Sequence, residues 1–266
     1  MTKRAFAIVA HPDDIEFMMA GTLILLGQAG YEIHYMTVAN GSCGTDRLDV
    51  ETIVRIRRQE AIAAAARIGA VYHESLVNDI EILYTKPLLQ RLGAVVRKVA
   101  PEIILTHAMP EYMEDHTNTC RLVLTAAFTR GMPNFAVRPP RPPVDQPVTV
   151  YHALPYGLRD PLGRRVYPGM YVDVSAVMGI KREMLAMHES QKAWLDASQG
   201  LDSYLIAMQD MCREVGRMSG RFTYAEGWTR HLHLGYCDQD ADPLAAALPE
   251  VSFAARPVVA NSTCNF

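Results

Sequence analysis

The sequence predicts an α/β fold: a Rossmann-like, mostly parallel sheet with helices on both faces. Three observations carry that expectation. The first half alternates short apolar runs with helical patterns at βα spacing. The first run, residues 5–10, contains no polar residue, as a strand buried on both faces requires. Two of the helical patterns close on glycines, Gly30 and Gly69, where a left-handed C-cap belongs.

Taken in order, residues 5–10 form strand 1 and residues 15–28 a helix stopped by Gly30. Residues 32–39 form strand 2, which ends at the turn residues Asn40-Gly41-Ser42. Residues 50–68 form a helix with an Ala-rich face, stopped by Gly69. Strand 3 is expected at 71–76, a helix at 87–99, strand 4 at 102–107 and a helix at 117–128. In a doubly wound sheet of this order, strand 1 lies beside strand 4 and the crossovers diverge there. Ligands bind at the carboxyl ends of the two strands flanking that point.

Residues 133–147 hold six of the sixteen prolines and read as an exposed connector inside the domain. Further strands are expected at 148–154 and 170–174, and helices at 175–195 and 201–218. One domain is expected over residues 1–236. The tail, 237–266, is Ala/Pro-rich and weakly patterned, either loose or ordered by a neighbouring subunit. The chain has no internal repeats.

Composition narrows the function classes. The 266 residues are 49% hydrophobic, enough for a sizeable core. Charged residues make up 21% and the net charge is -3, so nothing suggests broad nucleic-acid or anionic-membrane binding. The five cysteines are scattered and lack CxxC spacing. This argues against a disulfide framework or a Cys-held structural zinc, and suits a reducing cytoplasm. The apolar run near the N-terminus is shorter than the roughly 7–15 residues of a secretory core. No stretch approaches the ~20 apolar residues of a membrane span.

The chemistry concentrates at the end of strand 1, in His11-Pro12-Asp13-Asp14-Ile15-Glu16. Pro12 biases His11 toward an extended backbone. Asp14 then falls near the first helical turn, where an imidazole and a carboxylate three residues apart converge on one cation. A catalytic zinc takes three such ligands and keeps one open water position. The third ligand is expected from the end of strand 4, which offers His107 and His116. His116 is favoured, because it opens a helix beside Asp115, which can orient neighbouring groups. Asp13 is then the spare carboxylate, suited to take a proton from an activated water.

At these residues the sequence resembles the LmbE-like, or PIG-L, family of N-deacetylases, whose hallmark is Ala-His-Pro-Asp-Asp, here Ala10 to Asp14, with Glu16 also fitting. Further matches are Asn40-Gly41 with Gly44, Arg57 with Glu60-Ala61, Lys181 with His188-Glu189-Ser190-Gln191, and Tyr224-Ala225-Glu226. The resemblance spans residues 5–228 and implies a three-layer sandwich. It also implies one Zn²⁺ per chain held by His11, Asp14 and His116, with Asp13 as general base. The family's second motif, His-Pro-Asp-His, reads Met113-Glu114-Asp115-His116 here. In the family the first His of that motif polarises the carbonyl or stabilises the oxyanion. With Met113 in its place, Tyr112, His188 and Arg57 are the candidate donors.

The implied site is Asp13, Asp115 and His188 as catalytic residues, with Arg57, Tyr112 and Glu16 at the substrate. The implied activity is removal of an N-acyl, foremost N-acetyl, group from a sugar-containing substrate or glycoconjugate by a cytoplasmic homo-oligomer. The alternatives are an amidase or hydratase acting on a non-sugar small molecule, and a ligand-binding relative without catalysis. Plainer explanations exist for single features: His-Pro-Asp-Asp as a helix start, Arg57 and Glu60 as a surface pair, and His188 as a hydrogen-bonded core residue.

Overall fold

The computed structural model describes residues 2–109, 111–193 and 203–255. Eight strands form one sheet: β1 (Arg4–Val9), β2 (Glu32–Thr37), β3 (Val71–His73), β4 (Ile103–Thr106), β5 (Thr149–Ala153), β6 (Met170–Asp173), β7 (Ala225–Arg230) and β8 (Ser252–Ala254). Their order is β3-β2-β1-β4-β5-β7-β6-β8. The first five in that order pair in parallel, and the last three add antiparallel. β1 lies between β2 and β4, as the sequence predicts.

The alternation within β1 divides the core in two. Ala5, Ala7 and Val9 face one helical layer, α2 (Ala20–Gln28), α3 (Val50–Arg67), α6 (Met178–Ala186) and α7 (Ser203–Ser219). Phe6 and Ile8 face the other, α4 (Lys86–Val99) and α5 (Glu114–Phe128). The result is a three-layer sandwich. No helix among the described residues is long and apolar enough to cross a membrane.

Several expectations are corrected. The helix expected at 15–28 is two: α1 (Asp14–Met18) and α2, broken at Met19 with φ -144°. The break presents the Gly21 and Thr22 N–H groups to the Glu226 carboxylate, both at 2.8 Å. A carboxylate at a helix N-terminus satisfies donors that the helix cannot. Gly21 is required here, because a Cβ would lie 2.8 Å from Glu226 Oε1.

The helix expected at 175–195 stops at Ala186 and resumes at 189. Glu60 accepts both the N–H and the hydroxyl of Ser190, each at 2.7 Å, and so anchors the second start. Residues 194–195 and 201–202 of the expected helices lie outside the described residues. β7 had no place among the expected strands, because its run Ala-Glu-Gly-Trp-Thr-Arg carries a charge in a buried position.

Up to residue 255 the tail carries regular structure packed on the domain. α8 (Pro243–Ala247) buries Leu244, Asp242 accepts the Tyr151 hydroxyl at 2.6 Å, and β8 extends the sheet beside β6. The expected connector, 133–147, lies at the opposite end of the sheet from the site described below. Arg97, near the C-terminus of α4, donates to the carbonyls of Met132, Phe135 and Arg141.

Glu226 also meets Lys181 Nζ at 2.5 Å, and both side chains are buried. Removing one member leaves the other charged and unpaired in the core, at a cost of about 3–5 kcal/mol. Lys181→Met is expected to lower the unfolding free energy, measured by denaturant titration, by that amount. A midpoint close to wild type would show that Thr22 and the α2 N-terminus suffice for Glu226.

Candidate active site

β1 ends at Val9, and the chain turns through Pro12 into α1. Asp13 sits in that turn with φ 98° and ψ -23°, a left-handed conformation unusual for a residue with a side chain. It holds the N-cap position of α1, yet its side chain caps nothing. Its carboxylate instead accepts Arg57 Nη2 at 3.2 Å and the Tyr204 hydroxyl. Arg57 Nη2 also donates to the Pro12 carbonyl, so one guanidinium holds the turn and the carboxylate together. Such backbone costs of order 1–3 kcal/mol and persists where its surroundings over-determine it. A plain helix start requires none of this. Burial pushes the Asp13 carboxyl above the usual range, against the opposing charge of Arg57.

The loop after β2 is built around Arg57. Gly41, at φ +82°, passes so close that a Cβ would lie 2.6 Å from Arg57 Cδ, and a Cβ at Gly44 would strike Arg57 Nη1. The two glycines thus open the channel through which the guanidinium reaches Asp13.

His11, Asp14 and His116 converge, with one ligand atom from each lying within 4.8 Å of the others. Asp14 Oδ2 is 3.6 Å from His11 Nδ1 and 3.4 Å from His116 Nε2. The far nitrogen of each imidazole is held by a carboxylate. His11 Nε2 donates to Asp115 at 3.0 Å, and His116 Nδ1 donates to Glu111 at 3.1 Å. Carboxylates behind histidines in this way fix the tautomer and aim the inner lone pairs at a common point, as around bound metals. Burial opposes charge on His11, but Asp115 and Asp14 raise its imidazole to about 10. Burial likewise opposes charge on His116, which Asp14 and Glu111 raise. The cluster is short of positive charge, and two imidazoles with one carboxylate form a donor set that fits Zn²⁺.

His107, the other candidate third ligand, is differently engaged. Its Nε2 accepts the Ala10 N–H at 2.8 Å, so that lone pair is spent on the backbone. Its ring stacks on His116 at 4.0 Å and supports it from behind.

A cavity of about 400 Å³ opens over this cluster, and His11, Asp13, Asp14, Arg57, Tyr112 and His116 are among its lining. Three of the expected site residues are not. Glu16 is fully buried beneath the floor, where it accepts the Tyr35 hydroxyl at 2.9 Å and lies 3.3 Å from His188 Nε2. It has no route to a substrate. His188 is equally buried and stands behind Asp13 and Glu16. Asp115 turns away from the cavity to brace His11 and to accept the Ile80 N–H at 2.7 Å. Both are placed to position other groups rather than to touch a substrate. Tyr112 is 56% exposed on the wall, with its ring edge toward His116.

Glu111, Tyr204 and Asp79 were not foreseen. Glu111 carries no spacing signal, yet it holds His116 and accepts the Tyr112 and Tyr156 N–H groups at 2.8 and 2.9 Å. Tyr204 arrives on α7, far along the chain. Asp79 lines the cavity and holds the Gly41 and Cys43 N–H groups at 2.7 and 2.8 Å. Loss of such outer partners typically weakens metal binding 10–100-fold. Glu111→Gln is expected to raise the zinc dissociation constant by about that factor, measured by chelator competition. Unchanged affinity would remove Glu111 from the site.

Comparison with known proteins follows this geometry. Residues 6–127, which include both halves of the cluster, match the family model PIG-L: GlcNAc-PI de-N-acetylase. A diacetylchitobiose deacetylase from Thermococcus kodakarensis is 29% identical over 238 residues, 85% of this chain and 82% of the relative. A 4-oxalmesaconate hydratase from Pseudomonas putida is 30% identical over 122 residues, 43% of this chain and 47% of the relative. The solved structure of N,N'-diacetylchitobiose deacetylase from Pyrococcus horikoshii shares the fold. Its TM-score is 0.73 at 22% identity, covering 91% of this chain and 88% of that one. Residues 6–127 thus match the PIG-L, or LmbE-like, family model, and the chain shares the fold of a solved deacetylase across nearly its whole length.

Proposed function

We propose that this protein is a zinc-dependent hydrolase that removes an N-acyl group, foremost N-acetyl, from a neutral amide such as an N-acetylated sugar. The observation that carries the proposal is Asp13. A carboxylate is held in a strained turn beside three converging side chains of metal-ligand type, and although it occupies the N-cap position it caps no helix N–H. One zinc per chain would be held by His11, Asp14 and His116, where it would supply Lewis acidity and lower the pKa of water toward about 7.

The chain's own groups do the rest. Asp13 takes the proton from the attacking water and returns it to the departing amine nitrogen. Arg57 and Tyr204 hold the Asp13 carboxylate in place. Asp115 and Glu111 hold the outer N–H groups of His11 and His116, so that with a metal bound the inner nitrogens would be the ones aimed at it. With His188 buried and Arg57 engaged, Tyr112 is the one of those three candidate donors that is free on the wall to meet the carbonyl oxygen.

Water addition to a small acidic substrate is the second reading, favoured by the hydratase among the relatives. Charge separates the two. Asp13, Asp14 and Asp79 line the cavity, and among the described lining residues Arg57 is the one Lys or Arg, already held by Asp13 and Pro12. A neutral amide meets less repulsion there than a polycarboxylate. The test is release of acetate and free amine from N-acetylglucosamine by zinc-loaded protein, with and without chelator. Equal, chelator-sensitive release of both products is expected. Zinc-dependent hydration of an unsaturated acid without amine release would overturn the proposal.

A further inference from the structure

The aromatic wall of the candidate pocket continues into a second space. Phe17, Tyr156 and Ala207 line the pocket and also a neighbouring cavity of about 270 Å³. This groove runs between α7 and residues 156–165. Along α7 it follows Ala207, Met211 and Glu214, one helix face over about 10 Å. The adjacent face of α7 is committed to the core through Leu205, Met208, Cys212 and Val215, against which Ala207 and Met211 pack in part.

At the entrance, Phe17 stacks on Tyr204 at 5.6 Å and meets Tyr156 at 5.4 Å. At the far end, Arg165 pairs with Glu214, whose second oxygen accepts Arg217 at 2.8 Å. Between the two ends, Gly157, Leu158, Ala207 and Met211 offer no side-chain donor, and no acceptor stronger than a thioether. A polyhydroxylated ring there would find side-chain partners only at the two ends, in Tyr156 and in the Arg165–Glu214 pair, and its remaining hydroxyls would lose water uncompensated. A hydrocarbon chain or ring loses nothing polar, and the flexible Met211 thioether can adapt to its outline.

We propose that this groove binds an apolar chain or ring carried by the substrate beyond the scissile amide. This rests on the hydrolase reading, because the groove's occupant is continuous with whatever enters the pocket. Two sources share the chemistry: a long N-acyl chain, and an apolar group on the amine side.

The test compares three probes: N-acetylglucosamine, its octyl β-glycoside and N-octanoylglucosamine. Amine release is measured for wild type, Met211→Arg, which places a charge in the groove, and Met211→Ala, which only trims its wall. Each buried methylene is worth about a factor of 4 in affinity. At least one eight-carbon probe is expected to have a KM roughly tenfold or more below that of N-acetylglucosamine, even if only a few methylenes are covered. Met211→Arg is expected to abolish that advantage and Met211→Ala to reduce it, with turnover of N-acetylglucosamine unchanged. The probe that shows the advantage identifies which side of the amide carries the chain. Equal KM for all three, or an advantage indifferent to both variants, would overturn the groove.

No amine from any probe would sink the hydrolase reading instead. Calorimetric titration with the octyl glycoside then decides the groove by itself. Binding weakened tenfold or more by Met211→Arg supports it, and absent or unaltered binding overturns it.

Discussion

Asp13→Asn is expected to lower kcat for amide hydrolysis by about 10²–10⁴-fold, the range contributed by a positioned general acid–base group. Metal content is expected to stay at the wild-type level. The substitution keeps the shape of the side chain and an oxygen for Arg57 and Tyr204, so the turn has reason to persist. It removes the lining carboxylate that neighbours Asp14 in the turn and stands outside the ligand set. KM is expected to change little, because the group acts on a proton rather than on substrate binding. Steady-state kinetics with zinc measured on the same preparation make the check. Activity within a few-fold of wild type would remove Asp13 from the reaction. Loss of zinc along with activity would show that its role lies in building the site.

The second large effect is expected from His116→Ala. Removing one of three converging ligands is expected to take bound zinc from about one per chain to a small fraction, and activity with it. The loss exceeds the roughly 10–100-fold expected for an outer partner such as Glu111. It also leaves Glu111 buried without its imidazole partner, so thermal stability is measured in parallel to separate metal loss from unfolding. Zinc retained in a folded His116→Ala protein would move the third ligand to His107, whose Nε2 lies 3.4 Å from Asp14 Oδ2. Release of the Ala10 N–H would then be needed.

Much of this was legible along the chain. The all-apolar run of β1, the βα alternation and the neighbouring placement of β1 and β4 follow from local pattern and the geometry of parallel sheets. His11, Asp14 and His116 were legible for the same reason. Two motifs at the carboxyl ends of adjacent strands must face one crevice. What escaped were partners set by approach rather than spacing. Glu226 buries a charge in a strand because Lys181 and the α2 N-terminus come to meet it from distant segments. Glu16 lies off the cavity that Asp14 faces because two helical positions, a turn of roughly 200°, aim it toward Tyr35 and His188 in the interior.

The sequence by itself determined the sheet order around β1, the position of the crevice and the residue types that fill it. Periodicity and connection length are local quantities that constrain the path of the chain. Only the tertiary structure decided which group each side chain serves: Asp115 behind His11, Glu111 behind His116, and Arg57 and Tyr204 on Asp13. Those pairings join segments with no shared period, and each is settled by which buried polar atom must find a partner once the helices have packed.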